Sequence, residues 1–388
     1  MDLQATNFRY FDEAVTETVT GEDIQEAIIP DNFPDGDQII FTAAENFIRG
    51  KDNQNGRATV HGASRLYVTY RPQEEDAPRK LAIDIPFSAQ LENPQIKQTS
   101  TVIASCEVRN VRAALSNPRK ISGGVTLDVH FRVFNETENE VPNSLSDDDG
   151  NVVLKTKSLI TSLPSDIREK TFSVVDEQSL SLGAPDIAEI ISTKSRVTEI
   201  ESKLVGSKLI LKGVLVSEIA YISTDGAIEN AAFSSEFSQI ADGAGIHESA
   251  SLELLPIVTG NYIELLDDGA GEVRRISVET HLAVQIIAVV AREITYIADA
   301  YALADSDIAV TTSALNLPNS GEPDNGSKVT IISAIDAKGP AEKKGKKPAV
   351  VITSLAGGDT IWDIAKKYRV PESNIELLDE VKKAIVRT

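Results

Sequence analysis

The sequence contains an internal repeat, and no other feature constrains the fold of this chain so strongly. Matching positions follow one another in the same order at an offset of 150 or 151 residues. They are 34–40 and 185–191, His61-Gly62 and Lys212-Gly213, Tyr70 and Tyr221, and Phe87-Ser88 and Phe237-Ser238. Units of this length are tandem domains, since the repeats of solenoids run to roughly 20–50 residues. We therefore predict two homologous domains, at 1–155 and 156–316.

Both predicted domains have the hydrophobic pattern of β-strands. Apolar side chains occupy every second position at Val125, Leu127, Val129, Phe131 and Val133. A period of two is typical of a strand with one buried and one wet face. The run 209–216 is more continuously apolar, which favours a strand covered on both faces or bulged near Gly213. These patterns predict a mainly β protein with two sandwich-like domains.

Composition excludes several classes of protein. The chain has 59 Asp and Glu against 38 Lys and Arg, a net charge of −21, whereas broad nucleic-acid binding needs a basic face. Cys106 is the single cysteine, so no intramolecular disulfide can form. The four histidines lie far apart in the sequence, which argues against a Cys/His zinc module. We predict no metal and no cofactor.

The sequence also indicates a location. Its first residues have neither the basic nor the apolar part of a conventional signal peptide. The longest apolar stretch, 282–291, is too short to span a bilayer and is interrupted by Gln285. We expect a cytoplasmic protein with no transmembrane segment.

A change in composition follows the second repeat. The segment 317–327 is rich in turn formers, and 338–348 is rich in lysine, with a short candidate strand at 329–333 between them. We predict a flexible basic linker over 317–349. It either only solubilises the chain or steers the C-terminal end towards an acidic partner.

The last 39 residues, 350–388, form a separate pattern. Thr360 and Asp363 stand three apart, as in a capping box, and open a helix with apolar residues at 361, 364, 365 and 368. Ser373 and Glu376 repeat that spacing and predict a second helix. The apolar run 350–353 before the first helix predicts a strand.

This segment resembles a LysM domain through Gly358-Asp359-Thr360-Ile361-Trp362 together with Ile364, Ala365 and Tyr368. The resemblance implies a small β-α-α-β module that binds N-acetylglucosamine-containing glycans such as peptidoglycan, or a protein. Its groove would lie between the loop after the first strand and the loop after the second helix. The residues implied to line it are Gly358, Asp359, Thr360, Ile361, Leu378 and Asp379. Asp379 replaces the usual asparagine, and a closing strand is not recognisable in the sequence.

The repeats resemble a domain found with a C-terminal LysM in clostridial spore-coat morphogenesis proteins of the SipL type. The resemblance lies in 28–31, 34–40 and 85–88 of the first repeat and in 185–191 and 208–221 of the second. It implies a spore coat or envelope scaffold in the mother-cell cytoplasm at the forespore surface. The LysM module would dock there on a coat-morphogenesis partner such as the sporulation ATPase. The alternative is a cell-wall protein that binds peptidoglycan through LysM.

No motif of an enzyme is recognisable. The sequence has no phosphate-binding loop ending in Gly-Lys-Ser/Thr, no Gly-x-Ser-x-Gly and no His-Glu-x-x-His. Cys106 lies beside Glu107 in a strand-like context and is predicted to be a small packing residue, not a nucleophile. Asp147-Asp148-Asp149-Gly150 is predicted to be a solvated turn. We predict that the protein is not an enzyme.

Overall fold

Strands dominate the structure. A computed structural model describes residues 2–74, 77–146, 151–266, 273–303, 306–317, 328–340, 350–354, 359–378 and 383–387, with backbone alone at 306, 328, 339, 340, 352, 354, 378, 383, 385 and 387. This described part contains one α-helix, α1 (Ile361–Tyr368), and one 3₁₀ turn at Glu372–Asn374. The prediction of a mainly β protein is confirmed.

The chain divides into two compact units. The repeat body combines Tyr10–Thr137 with Pro164–Val290. The C-terminal body combines Met1–Arg9, Glu138–Leu163 and Ala291–Thr388. Both predicted repeats therefore contribute residues to each unit.

Among the described residues, the two repeats contain six strands each, and we call these two sets the first half and the second half. The first half has β1 (Asp2–Ile28), β2 (Gly36–Gln54), β3 (Arg57–Pro72), β4 (Arg79–Glu92), β5 (Thr101–Asn117) and β6 (Lys120–Ser146). The second half has β7 (Val152–Ser179), β8 (Ile187–Val205), β9 (Lys208–Ser223), β10 (Ile228–Asp242), β11 (Ser251–Leu266) and β12 (Arg275–Ala302). The sheets have the order β1-β6-β5 and β2-β3-β4, then β7-β12-β11 and β8-β9-β10. The second half thus repeats the strand order of the first, as a duplication requires.

The two sheets of each half share a core. In the first half the alternating residues of β6, with Phe131 and Val133 fully buried, pack with Leu66 of β3 and Ile85 of β4. In the second half Leu211 of β9 belongs to one cluster with residues of β12. Side chains from two facing sheets make this kind of core in a sandwich.

A tyrosine closes the same loop in both halves, which explains one of the sequence matches. The hydroxyl of Tyr70 donates to the carbonyl of Pro34 at 3.1 Å, and that of Tyr221 donates to the carbonyl of Pro185 at 3.2 Å. Both rings are buried. The matching proline and tyrosine positions are therefore two ends of one contact.

Glycine and phenylalanine form the second matched contact. Gly62 pairs with Phe87 across β3 and β4, and Gly213 pairs with Phe237 across β9 and β10. A Cβ on Gly213 would lie 2.5 Å from the Phe237 ring and 2.4 Å from the carbonyl oxygen of Glu199. The aromatic ring thus occupies the space that a larger side chain would need.

We expect Gly213→Ala to destabilise the protein by about 1–3 kcal/mol, because the added methyl group overpacks this contact. Urea unfolding measures the change. Gly21→Ala is the matched control, since its Cβ would meet no atom within 4 Å. Equal unfolding midpoints for the two variants would contradict the assignment.

The C-terminal body contains a hairpin of β13 (Ser306–Asn316) and β14 (Lys328–Pro340), which pair antiparallel. The strand predicted at 329–333 is therefore present and longer, and it lies within the segment predicted to be a linker. Ile332 and Ile335 of β14 pack with Ile297 and Ala300 of β12. Residues 341–349, the rest of the lysine-rich segment, lie outside the described part.

The C-terminal module, which we define as 350–388, corrects the prediction of two helices. It contains β15 (Val350–Ser354), α1, the 3₁₀ turn, β16 (Ile375–Leu378) and β17 (Lys383–Arg387), with β17 central and antiparallel to both neighbours. The second helix predicted from Ser373 is wrong. Ile375 and Leu377 pack inward while Glu376 is exposed, which is the period of a strand. The sheet is closed by β17, which the sequence did not reveal.

Candidate functional site

The predicted binding residues lie at the start of α1, as far as the structure describes them. Asp359, Thr360 and Ile361 are exposed, and we call them the outer corner. Gly358 and Asp379 lie outside the described residues, and Leu378 is described only as backbone in β16. Of the residues predicted to line the groove, the structure therefore describes only those at the start of α1 with their side chains.

The capping box predicted at Thr360 is confirmed. The Asp363 amide donates to Thr360 Oγ1 at 3.3 Å, and the Thr360 amide donates to Asp363 Oδ2 at 2.9 Å. These two bonds satisfy amides in the first turn, which have no partner within the helix. The outer corner is thereby held in one backbone conformation.

The inner face of α1 differs from the predicted apolar face at one position. Ile364 and Ala365 are buried as expected, but Ile361 is 38% exposed and Trp362 takes its place in the interior. The Trp362 ring packs edge-on against Tyr301 of β12, with 4.9 Å between centroids. Lys155 Nζ lies 5.3 Å from the centre of the same ring.

Asp299 of β12 anchors the helix. Its carboxylate accepts from the indole N–H of Trp362 at 2.8 Å and from Lys366 Nζ at 2.6 and 2.7 Å. Burial raises the pKa of Asp299, but the hydrogen bonds from Lys366 and Trp362 outweigh it and leave the pKa below its ordinary value. The carboxylate therefore stays charged at neutral pH and holds the helix.

Two further contacts join the C-terminal module to the same body. Tyr301 donates its hydroxyl proton to the Val370 carbonyl at 2.9 Å, and Arg369 donates to Asp307 at 3.2 Å. The first of these bonds is buried. The module is therefore packed against β12, whereas the sequence predicts that it hangs on a flexible tether.

We expect Asp299→Ala to weaken this packing by about 1–3 kcal/mol, because it removes charge-assisted hydrogen bonds to Trp362 and Lys366. Trp362 is the only tryptophan, so its fluorescence reports on the contact. The emission should move to longer wavelength and become more accessible to iodide. Asp307→Ala, which removes only the contact with Arg369, is the control and should change less. Emission from the Asp299 variant equal to that of the wild type would contradict the anchor.

A second polar site, which sequence reasoning missed, lies in the repeat body. Glu45 of β2 is buried, and its carboxylate accepts from the backbone N–H of Ser195 at 2.8 Å. It also accepts from Asn261 Nδ2 at 3.1 and 3.2 Å and from Thr193 Oγ1 at 3.3 Å. All three donors belong to the second half, on β8 and β11. Glu45 thus joins the two halves, and we call their contacts within the repeat body the repeat seam.

Burial raises the pKa of Glu45 from 4.5 to about 7, against the opposing effect of the hydrogen bonds from Ser195, Asn261 and Thr193. The network continues beyond the carboxylate. Tyr67 Oη lies 2.6 Å from Thr193 Oγ1, and Thr280 donates to Asn261 Oδ1 at 3.0 Å. Nothing in the local sequence around Glu45 distinguishes it from a surface glutamate.

Gln285 makes a second buried polar contact in the repeat seam. Its side-chain amide donates to the Ala104 carbonyl at 2.8 Å and accepts from the Ala104 N–H at 3.0 Å. Its oxygen also accepts from Lys51 Nζ at 2.9 Å. A sequence signal for this residue exists, since Gln285 is the polar interruption of the apolar run 282–291.

Cys106, predicted to be a packing residue and not a nucleophile, has a thiol that ionises poorly. Burial raises the pKa of the Cys106 thiol to about 12, so the thiolate is scarce at neutral pH. Within the described residues, no three or more His, Cys, Asp and Glu side chains are grouped to hold a metal ion. The turn predicted at 147–150 lies outside them. No helix among these residues has the length and apolar character needed to cross a membrane.

Comparisons with known proteins found no match: neither a family model, nor a curated protein, nor a solved structure is similar to this chain. The LysM and spore-coat resemblances therefore stay predictions, and what the sites can do follows from their own geometry.

Proposed function

We propose that this protein is a non-catalytic assembly scaffold of the spore envelope, whose C-terminal module docks on a coat-morphogenesis partner such as the sporulation ATPase. The proposal rests on the sequence resemblances and on one structural observation. The inner face of α1 is occupied by its own body through Asp299, while the outer corner faces solvent.

A fixed outer corner suits recognition of a protein. Ile361 offers an apolar side chain, 38% exposed, beside the polar Asp359 and Thr360. The capping box and the Asp299 contacts order this surface before any partner arrives. A partner then pays less conformational entropy than it would on a mobile loop. An apolar centre with a polar rim is also the usual anatomy of a protein–protein contact.

The repeat body supplies the structural part of the proposed scaffold. Its halves are joined by hydrogen bonds between Glu45 or Gln285 and the opposite half, and by an apolar cluster of Ile103, Phe134 and Ile287. The proposal places the protein in the mother-cell cytoplasm at the forespore surface. The alternative, a cell-wall protein that binds peptidoglycan, would use the same outer corner, and sedimentation with peptidoglycan distinguishes the two.

The test uses the full-length chain as bait in a lysate of sporulating cells, with identification of the retained proteins. We expect the wild type to retain the sporulation ATPase and Ile361→Asp to lose it at least tenfold, because a charge replaces the apolar centre. Ile240→Asp is the matched control, since Ile240 is an exposed isoleucine of β10, 56% accessible. Trp362 fluorescence should be unchanged in both variants, which shows that the C-terminal module is still packed.

Two outcomes would overturn the proposal. In the first, no coat-assembly protein is retained by the wild type. In the second, the full-length chain sediments with purified, protein-free peptidoglycan and Ile361→Asp does not, which would support the glycan-binding alternative.

A further inference from the structure

Glu45 is an ionisable residue whose carboxylate is buried where the two halves meet. Its partners are a backbone N–H, an amide and a hydroxyl, at Ser195, Asn261 and Thr193. None of these carries a positive charge. A buried carboxylate without a cation is costly in its ionised form, whereas its protonated form avoids that cost.

Nearby cations do not remove this cost. Arg65 of β3 is the charged side chain that favours ionisation of Glu45, but its guanidinium already donates to Asp84 at 2.9 and 3.3 Å. Lys51, elsewhere in the repeat seam, donates to Glu169 at 2.6 Å. Arg132, also in the seam, donates to Glu13 and Glu253. Each of these cations is thus paired with another carboxylate.

The remaining ionisable groups that face Glu45 lie on the surrounding strands. Tyr67 of β3 reaches Glu45 through Thr193. A cavity of about 430 Å³ beside the carboxylate is lined by Cys106 and Glu107 of β5 and by Lys194 and Arg196 of β8. Arg196 donates to Glu218 at 3.0 Å. Asn261 of β11 and Thr280 of β12 are polar but uncharged.

We propose that Glu45 makes the attachment of the two halves proton-dependent, so that protonation of its carboxyl group tightens the repeat seam and ionisation loosens it. This goes beyond the proposed function and does not depend on it, since it concerns the repeat body alone.

The geometry accommodates the proton. A proton on Oε2 can be donated to Thr193 Oγ1, 3.3 Å away, and the hydroxyl of Thr193 can then donate to Tyr67 Oη at 2.6 Å. Oε1 keeps the bonds from Ser195 and Asn261. The protonated carboxyl therefore uses the same partners with no buried charge.

The direction of the pH effect follows from the raised pKa of Glu45. Below about pH 4.5 the carboxyl is protonated in the folded and the unfolded chain alike. Between about 4.5 and 7 only the folded chain holds the proton, so the free energy of unfolding falls as the pH rises. Above about pH 7 both states are ionised and the loss is complete.

We expect the unfolding equilibrium constant of the wild type to rise about tenfold between pH 6.0 and 8.5 through this group, for a pKa near 7. Glu45→Gln keeps the shape of the protonated form, the bonds to its oxygen from Ser195 and Asn261 and a donor towards Thr193, and it should abolish this rise. Glu253→Gln is the matched control, because Glu253 also crosses the seam, through Arg132, but is exposed. It should keep the pH dependence of the wild type. The four histidines are present in every variant, so the difference between the profiles isolates Glu45.

Native-state hydrogen exchange of the Ser195 amide locates the effect. Its protection should fall from pH 6.0 to 8.5 in the wild type, after correction for intrinsic exchange, and stay level in Glu45→Gln. Should that variant fail to fold, a carbon-13 NMR titration of the wild-type Glu45 carboxyl decides. A midpoint near pH 7 supports the proposal, and a midpoint below pH 5 overturns it. Equal pH profiles for the wild type and Glu45→Gln would overturn it as well.

Discussion

The repeat body depends on the satisfaction of buried polar groups across the repeat seam. Glu45 and Gln285 are both buried, and each takes its partners from the opposite half of the chain. Hydrogen bonds of this kind are directional, so they specify one relative position of the halves, which an apolar surface alone would do less sharply. An apolar cluster around Ile103, Phe134 and Ile287 buries further surface between the two halves.

The internal repeat was visible in the sequence because its matched residues form pairwise contacts. Tyr70 needs its hydroxyl to reach the carbonyl of Pro34, and Gly62 leaves room for the ring of Phe87, so these residue types recur in the second half. The alternation in β6 was equally readable, since burial follows the two-residue period of a strand. By contrast, the role of Glu45 depends on Ser195 and Asn261, which lie far away in sequence, and no local pattern predicts such a pairing.

In the C-terminal module, the capping-box spacing predicted one helix correctly and one helix wrongly. The spacing of Thr360 and Asp363 makes a true capping box, because a helix with a buried face follows it. The spacing of Ser373 and Glu376 does not, because Ile375 and Leu377 alternate with Glu376 and pair with β17. The residue types that cap helices are also common in turns, so the hydrophobic period of the residues that follow decides whether a helix forms. The outer corner was predicted as a binding surface, but the Asp299 anchor behind it was not.

Strand register identifies the residues in the first half that correspond to two polar residues of the second. Asn261 pairs with Thr280 next to a bulge, and the equivalent pair in the first half is Val111 with Val125. A hypothetical chain built from two first halves would set a valine pair against each buried glutamate, and one built from two second halves would lack the glutamate altogether. The two halves are therefore complementary and not interchangeable, like the two different subunits of a heterodimer joined in one polypeptide.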